Sequence, residues 1–251
     1  GGAGRAGPAP AVWGPAQVLS WTEGGALEAA LPEAWLRLRG PVGTVCVTGD
    51  DRIGKSTLLS LWAQNLTGFA DDRFEFRAGH TLRSQTQGLW SAVLPREATG
   101  LDFHLNLCDS QGLKQVSELE QWRLFSANVL LPQVLVYMLI NVFQNDQIRD
   151  LAQMAQQFRQ LSEEDFGHFG QLLSPHLLIV IRDESDLGGS ESLSAHIEDV
   201  LHSSGFAEEK ALIRQVFRTR EAWPLRELPR EARTALREGP PGGAPPPGGP
   251  S

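Results

Sequence analysis

Eight consecutive residues, Gly49-Asp50-Asp51-Arg52-Ile53-Gly54-Lys55-Ser56, constrain this chain more than any other feature. They fit G-x-x-x-x-G-K-[ST], a loop whose backbone N–H groups curl around a phosphate. Such a loop works only between a buried strand and a helix N-terminus, where free amide donors and the positive end of the helix dipole converge on one anion. The flanks meet that requirement. An apolar, β-branched run, Val42 to Thr48, leads in, and a helix-compatible run, Thr57 to Ala63, leads out. The chain has only three lysines, Lys55, Lys114 and Lys210, and one of them falls on the position the motif demands. Phosphate contacts are therefore expected from Gly49, Asp50, Asp51, Arg52, Ile53, Gly54, Lys55, Ser56 and Thr57. Lys55 would reach the β and γ phosphates, and the Ser56 hydroxyl would hold Mg²⁺.

The rest of the chain reads as strands alternating with helices, which predicts a P-loop NTPase: an α/β domain with a mostly parallel central sheet and helices on both faces. Strands are expected over Gly88 to Leu94, over Leu101 to Leu107 from its alternation, over the apolar run Val134 to Ile140, over Leu177 to Ile181, and last over Ala211 to Phe217. Helices are expected over Leu27 to Leu38 (interrupted by Pro32), over Glu118 to Leu131, over Gln147 to Leu161 with Asp146 as its cap, and over Ser192 to Leu201. Right-handed crossovers bring the C-terminal ends of the strands to one edge, where such sheets bind ligands. Gly49, Asp109 and Asp183 each follow a strand end, so three separated positions converge there. Asp109 fits the acidic position that holds Mg²⁺ directly or through water. Thr86 is placed to close over the γ-phosphate and the ion.

Residues 1–13 and the Gly/Pro-rich residues 239–251 cannot bury a core and are expected to be disordered, leaving 14–238 as one domain. A net charge of -8 with arginines scattered among acids argues against nucleic acid as the main partner. The longest apolar run, Val129 to Phe143, is broken by Pro132 and Asn141 and falls short of the ~20 residues a membrane helix needs. The first residues lack the apolar core of a signal peptide, and Cys46 and Cys108 sit in expected core strands as reduced thiols. Together these predict a cytoplasmic protein, with any membrane contact indirect.

Four stretches occur in a telling order: Arg52-Ile53-Gly54-Lys55-Ser56, Ser84-Gln85-Thr86-Gln87-Gly88-Leu89-Trp90, Asp109-Ser110-Gln111-Gly112-Leu113, and Arg182-Asp183 at the end of an apolar strand. Together they resemble the G domain of guanylate-binding proteins and atlastins, in the dynamin superfamily, over roughly residues 14–225. The resemblance implies GTP as substrate, Mg²⁺ as cofactor and a homodimer formed through the G domains. It makes Arg52 an arginine finger acting in cis, Ser84 a residue that positions the attacking water, and Thr86 the ligand that closes over γ-phosphate and Mg²⁺. Metal contacts then fall to Ser56, Thr86 and Asp109, and nucleotide contacts also to Gly112, Arg182 and Asp183, the last on the guanine edge. Residues 214–221 would supply the loop that caps the base. Three departures accompany the match. Gln111 stands where the family has Glu, Gln85 where it has His, and Asp50 and Asp51 place two carboxylates in the phosphate loop. A carboxylate ~8 Å from one phosphate charge opposes binding by about 2 kcal/mol at an effective dielectric of ~20. A hydrolysing GTPase, a nucleotide-binding interaction module with little or no hydrolysis, and a P-loop kinase for a small metabolite all stay open from the residues.

Overall fold

The computed structural model describes residues 14–22, 27–68, 74–76, 88–110, 126–128, 130, 132–141, 143–161, 174–182 and 190–225. One sheet of eight strands organises them. In chain order these are β1 (Ala16–Trp21), β2 (Leu27–Ala29), β3 (Val42–Gly49), β4 (Leu89–Leu94), β5 (His104–Ser110), β6 (Val134–Ile140), β7 (His176–Arg182) and β8 (Arg220–Leu225). Their order across the sheet is β2-β1-β4-β5-β3-β6-β7-β8. From β5 to β8 every neighbouring pair is parallel, whereas β4, β1 and β2 add an antiparallel margin. The mostly parallel sheet expected from the sequence is present.

The helices are α1 (Glu33–Leu36), α2 (Lys55–Thr67), α3 (Arg96–Thr99), α4 (Asn145–Leu161), α5 (Ser190–His202) and α6 (Ala207–Val216). Side chains alternate across a strand, so each central strand feeds two cores. On β6, Leu135, Tyr137 and Leu139 enter the core that α4, α5 and α6 cover with Ile148, Leu151, Leu193, Ile197 and Ile213. Val136 and Met138 enter the opposite core, beneath Leu58, Leu59 and Ala63 of α2, with Phe74 and Phe76. Helices therefore cover both faces, and a strand buried on both sides must be apolar throughout, as β6 is.

Several expected elements differ. Leu27–Ala29 is not helical. It pairs antiparallel with β1, itself an addition to the expected set, and the helix is only the turn Glu33–Leu36 after Pro32. Residues 211–217 form no strand, because Ala207–Val216 is helix α6. Its buried residues, Lys210, Ile213 and Val216, recur every three positions, and Glu208 and Glu209 lie in its first turn. The last strand is β8. Strand β5 begins at His104, later than the alternation suggested, and runs through Asp109 to Ser110. Helix α4 begins at Asn145, which puts Asp146 inside the first turn, where its carboxylate still meets the helix dipole. Of the helix expected over Glu118 to Leu131, only 126–128 and 130 are described, and they are helical. Among the described residues no helix is long and apolar enough to cross a membrane.

Candidate functional site

Register fixes which strand ends share an edge. Gly49 pairs with Met138, Val47 with Asp109, Ile140 with Arg182 and Arg182 with Leu225. The loop after β3, the end of β5 and the end of β7 therefore border one rim. Gly49 opens the loop at φ 127°, and a Cβ there would stand 2.0 Å from the Met138 carbonyl oxygen. Only glycine lets β3 approach β6 that closely while turning. Gly54 closes the loop at φ 95° and hands the chain to α2, whose first turn contains no acidic residue. Between them Arg52 holds a left-handed φ of 57°, uncommon for a residue with a side chain, and it is exposed. Ile53, by contrast, is buried beneath the loop and anchors it to the α2 core.

Lys55 is buried, and its ammonium donates to the backbone carbonyls of Asp50 at 2.6 Å and Gly49 at 3.4 Å. Burial pushes its pKa below the ordinary lysine value, opposed by the carboxylates of Asp109, Asp51 and Asp50. A charge kept out of water at the centre of a loop, held by its carbonyls, is poised to move onto an anion in that loop. Ser56, the next residue, donates its hydroxyl to Asp109 Oδ2 at 2.6 Å. Asp109 is itself buried at the end of β5. Two hard oxygens from separate elements thus meet beside the ammonium. That donor set fits Mg²⁺, which takes one or two protein oxygens and keeps several waters.

Arg182, expected among the nucleotide contacts, reaches from the end of β7 to the phosphate loop. Its Nη1 donates to the Ile53 carbonyl at 3.2 Å and lies 3.9 Å from where a Cβ on Gly54 would sit. The guanidinium therefore braces the underside of the phosphate loop from β7. Nothing in the sequence signalled this, because the contact spans 129 residues. Tyr137 was also missed. It is buried on β6, donates to Asp150 of α4 at 3.0 Å, and is pushed up in pKa by burial, with Asp150 and Asp50 adding to the effect.

The segment expected to cap the base needs correction. Arg220 pairs with Leu177, at the start of β7, so residues 214–221 border the rim opposite the phosphate loop. Arg214 donates to the Leu201 carbonyl, and Arg220 holds Glu198 through two hydrogen bonds of 2.7 and 2.8 Å. Both arginines tie α5, α6 and β8 together and stand away from the site. Ser84, Thr86, Gln111, Gly112 and Asp183 lie outside the described residues.

A phosphate loop between a buried strand and a helix, with a desolvated lysine and a serine–aspartate pair at the strand ends, defines a P-loop nucleotide-binding domain. The model of the guanylate-binding protein N-terminal domain matches residues 28–172, more than half of the chain. The chain belongs to that family, and at family level it is a large-GTPase G domain that binds GTP. No curated protein sequence matches it significantly. Among solved structures, one of the chloroplast translocon components atToc33 and psToc159, whose dimerization is described as important for GTPase activity, is similar to it. The two share 16% identity over 75% of this chain and 71% of the other, with a TM-score of 0.41.

Proposed function

We propose that this G domain binds GTP with Mg²⁺ and hydrolyses it to GDP and phosphate, and that pairing of two G domains stimulates the reaction. The observation that carries the reading is the Ser56–Asp109 contact of 2.6 Å beside the buried Lys55 ammonium. When bound, Mg²⁺ would supply positive charge that offsets the negative charge developing on the phosphates. Ser56 and Asp109 would hold it, with Thr86 as a third ligand. Lys55 would leave the Gly49 and Asp50 carbonyls for the phosphate oxygens, and the loop N–H groups would bind the remaining oxygens. Ser84 would orient the attacking water. Gly112 and Asp183 would contact γ-phosphate and guanine.

The exposed position of Arg52 on the loop supports its assignment as the arginine finger. A partner G domain that covers the loop would bring this guanidinium onto the phosphates. A finger of this kind contributes roughly 10³–10⁵ in rate. Phosphate release should therefore rise per molecule as protein concentration rises. Lys55→Ala should abolish it, and Arg52→Ala should remove the concentration dependence. Absence of phosphate release from GTP at every concentration, in wild type and Arg52→Ala alike, overturns the hydrolytic reading. A parallel run with ATP tests the base.

A second reading, binding with negligible turnover, draws on one specific feature. Asp50 and Asp51 lie near enough to Lys55 for their charges to act on it. Tight GTP binding without turnover would select this reading.

A further inference from the structure

The peptide between Ile53 and Gly54 is held from three directions. The Ile53 side chain is buried in the core beneath α2. The Ile53 carbonyl accepts from Nη1 of Arg182 at 3.2 Å. The Gly54 carbonyl accepts from the N–H of Leu58 at 2.9 Å, which opens the hydrogen-bond ladder of α2. Arg182 is half-buried at the last position of β7, in register with Ile140 on β6 and Leu225 on β8. Strands on both sides therefore fix the point from which its side chain reaches.

A trans peptide is planar, and its carbonyl and N–H point in opposite directions. No cis bond occurs among the described residues. A guanidinium that holds the Ile53 carbonyl on the underside of the loop therefore turns the Gly54 N–H to the other side, where the motif requires donors for a phosphate. The contact falls where the loop needs support. Ile53 lies between Arg52 at φ 57° and Gly54 at φ 95°. A left-handed residue with a side chain persists only where its surroundings over-determine it. Charge adds to this, because Nη1 lies 3.9 Å from where a Cβ on Gly54 would stand. An arginine stays charged at every working pH, so this cation is permanent.

Resting on the reading that the loop binds a guanine nucleotide, we propose that Arg182 is a positioning residue for the phosphate cradle. It acts on the nucleotide through the Ile53 carbonyl, by aiming the Gly54 N–H at the β-phosphate, and not through the base.

Affinities for GMP and GDP, measured by competition against a fluorescent GDP analogue, decide this in wild type, Arg182→Met and Arg182→Gln. Both ligands carry the guanine base, and only GDP carries a β-phosphate. Arg182→Met keeps an unbranched side chain without donor or charge. It should lower GDP affinity about tenfold and leave GMP affinity within about twofold of wild type. Equal losses for GMP and GDP would place the effect outside the β-phosphate cradle and overturn the proposal. A drop in thermal stability with an unchanged GDP-over-GMP ratio is the mark of a packing role and overturns it too. If Arg182→Met does not fold, Arg182→Gln, which stays polar but ends two bonds short of the guanidinium nitrogens, carries the decision. Wild type binding GMP as tightly as GDP also overturns the proposal while leaving nucleotide binding intact. Wild type binding neither overturns the functional reading itself.

Discussion

Arg52 combines a left-handed backbone with an exposed side chain inside the phosphate loop. Glycine adopts that backbone without the clash between Cβ and the neighbouring carbonyl. Arg52→Gly should therefore stabilise the fold by about 1 kcal/mol in chemical denaturation, while losing whatever rate the guanidinium supplies. Arg52→Ala keeps the strain and loses the same rate, so the pair separates backbone from side chain. Lys55 makes a prediction about pH. Its folded-state pKa is lowered, chiefly by burial. Between that lowered value and the ordinary lysine value the unfolded chain binds more protons than the folded one, so stability rises with pH across that window. Phosphate binding needs the ammonium and should weaken over the same window. Titration of nucleotide affinity against pH, with Lys55→Met as the flat control, checks the sign.

At the scale of elements, two joints hold the rims of the sheet. At the loop rim, Gly49 lets β3 lie against β6. Gly49→Ala adds a methyl 2.0 Å from the Met138 carbonyl oxygen at a φ of 127°, and the strain should destabilise the fold by about 2–4 kcal/mol. At the opposite rim, Arg220 clamps Glu198 of α5 to β8 and also donates to the carbonyls of Phe217 and Arg214. Arg220→Ala should destabilise by about 2 kcal/mol in urea unfolding, since several charge-assisted bonds are lost at a side chain only 13% exposed. The clamp holds the Glu198 carboxyl below its usual range, chiefly through the hydrogen bonds from Arg220. Its stabilisation is present above the ordinary glutamate pKa and is lost as pH falls through the lowered one. This joint was illegible in the sequence. Residues 211–217 were expected as a strand because their apolar content is high, but Lys210, Ile213 and Val216 follow a helical period. Correcting that one element moved Arg214 and Arg220 from a base-capping loop to the far rim.

Across the molecule, the parallel core brings Cys46 and Cys108 into register on β3 and β5, fully buried and free. Their thiols hydrogen-bond to each other, and Ser91 and Asn106 lie 3.5 Å from the Cys108 sulfur. Burial raises the Cys46 thiol, while hydrogen bonds, first from Cys46, lower Cys108. Access governs reactivity here, so neither thiol should react with Ellman's reagent in the native protein, and both should react on unfolding. A thiol that titrates in native buffer at an appreciable rate would contradict this packing.

The sequence by itself determined the phosphate loop, the buried strands β3, β6 and β7, the helix α2 and the family. These follow from local rules: glycines at positive φ, lysine after glycine, and apolar runs long enough for a two-sided strand. Local patterns also placed Asp109 at a strand end. Only the tertiary structure decided that Asp109 meets Ser56 at 2.6 Å, that Arg182 braces the loop from below, and that Asn128 reaches Thr48 behind it. Each of those contacts joins residues 53 or more positions apart in sequence. Such pairings are set by strand order and register, which depend on how whole faces pack, and no window of neighbouring residues encodes them.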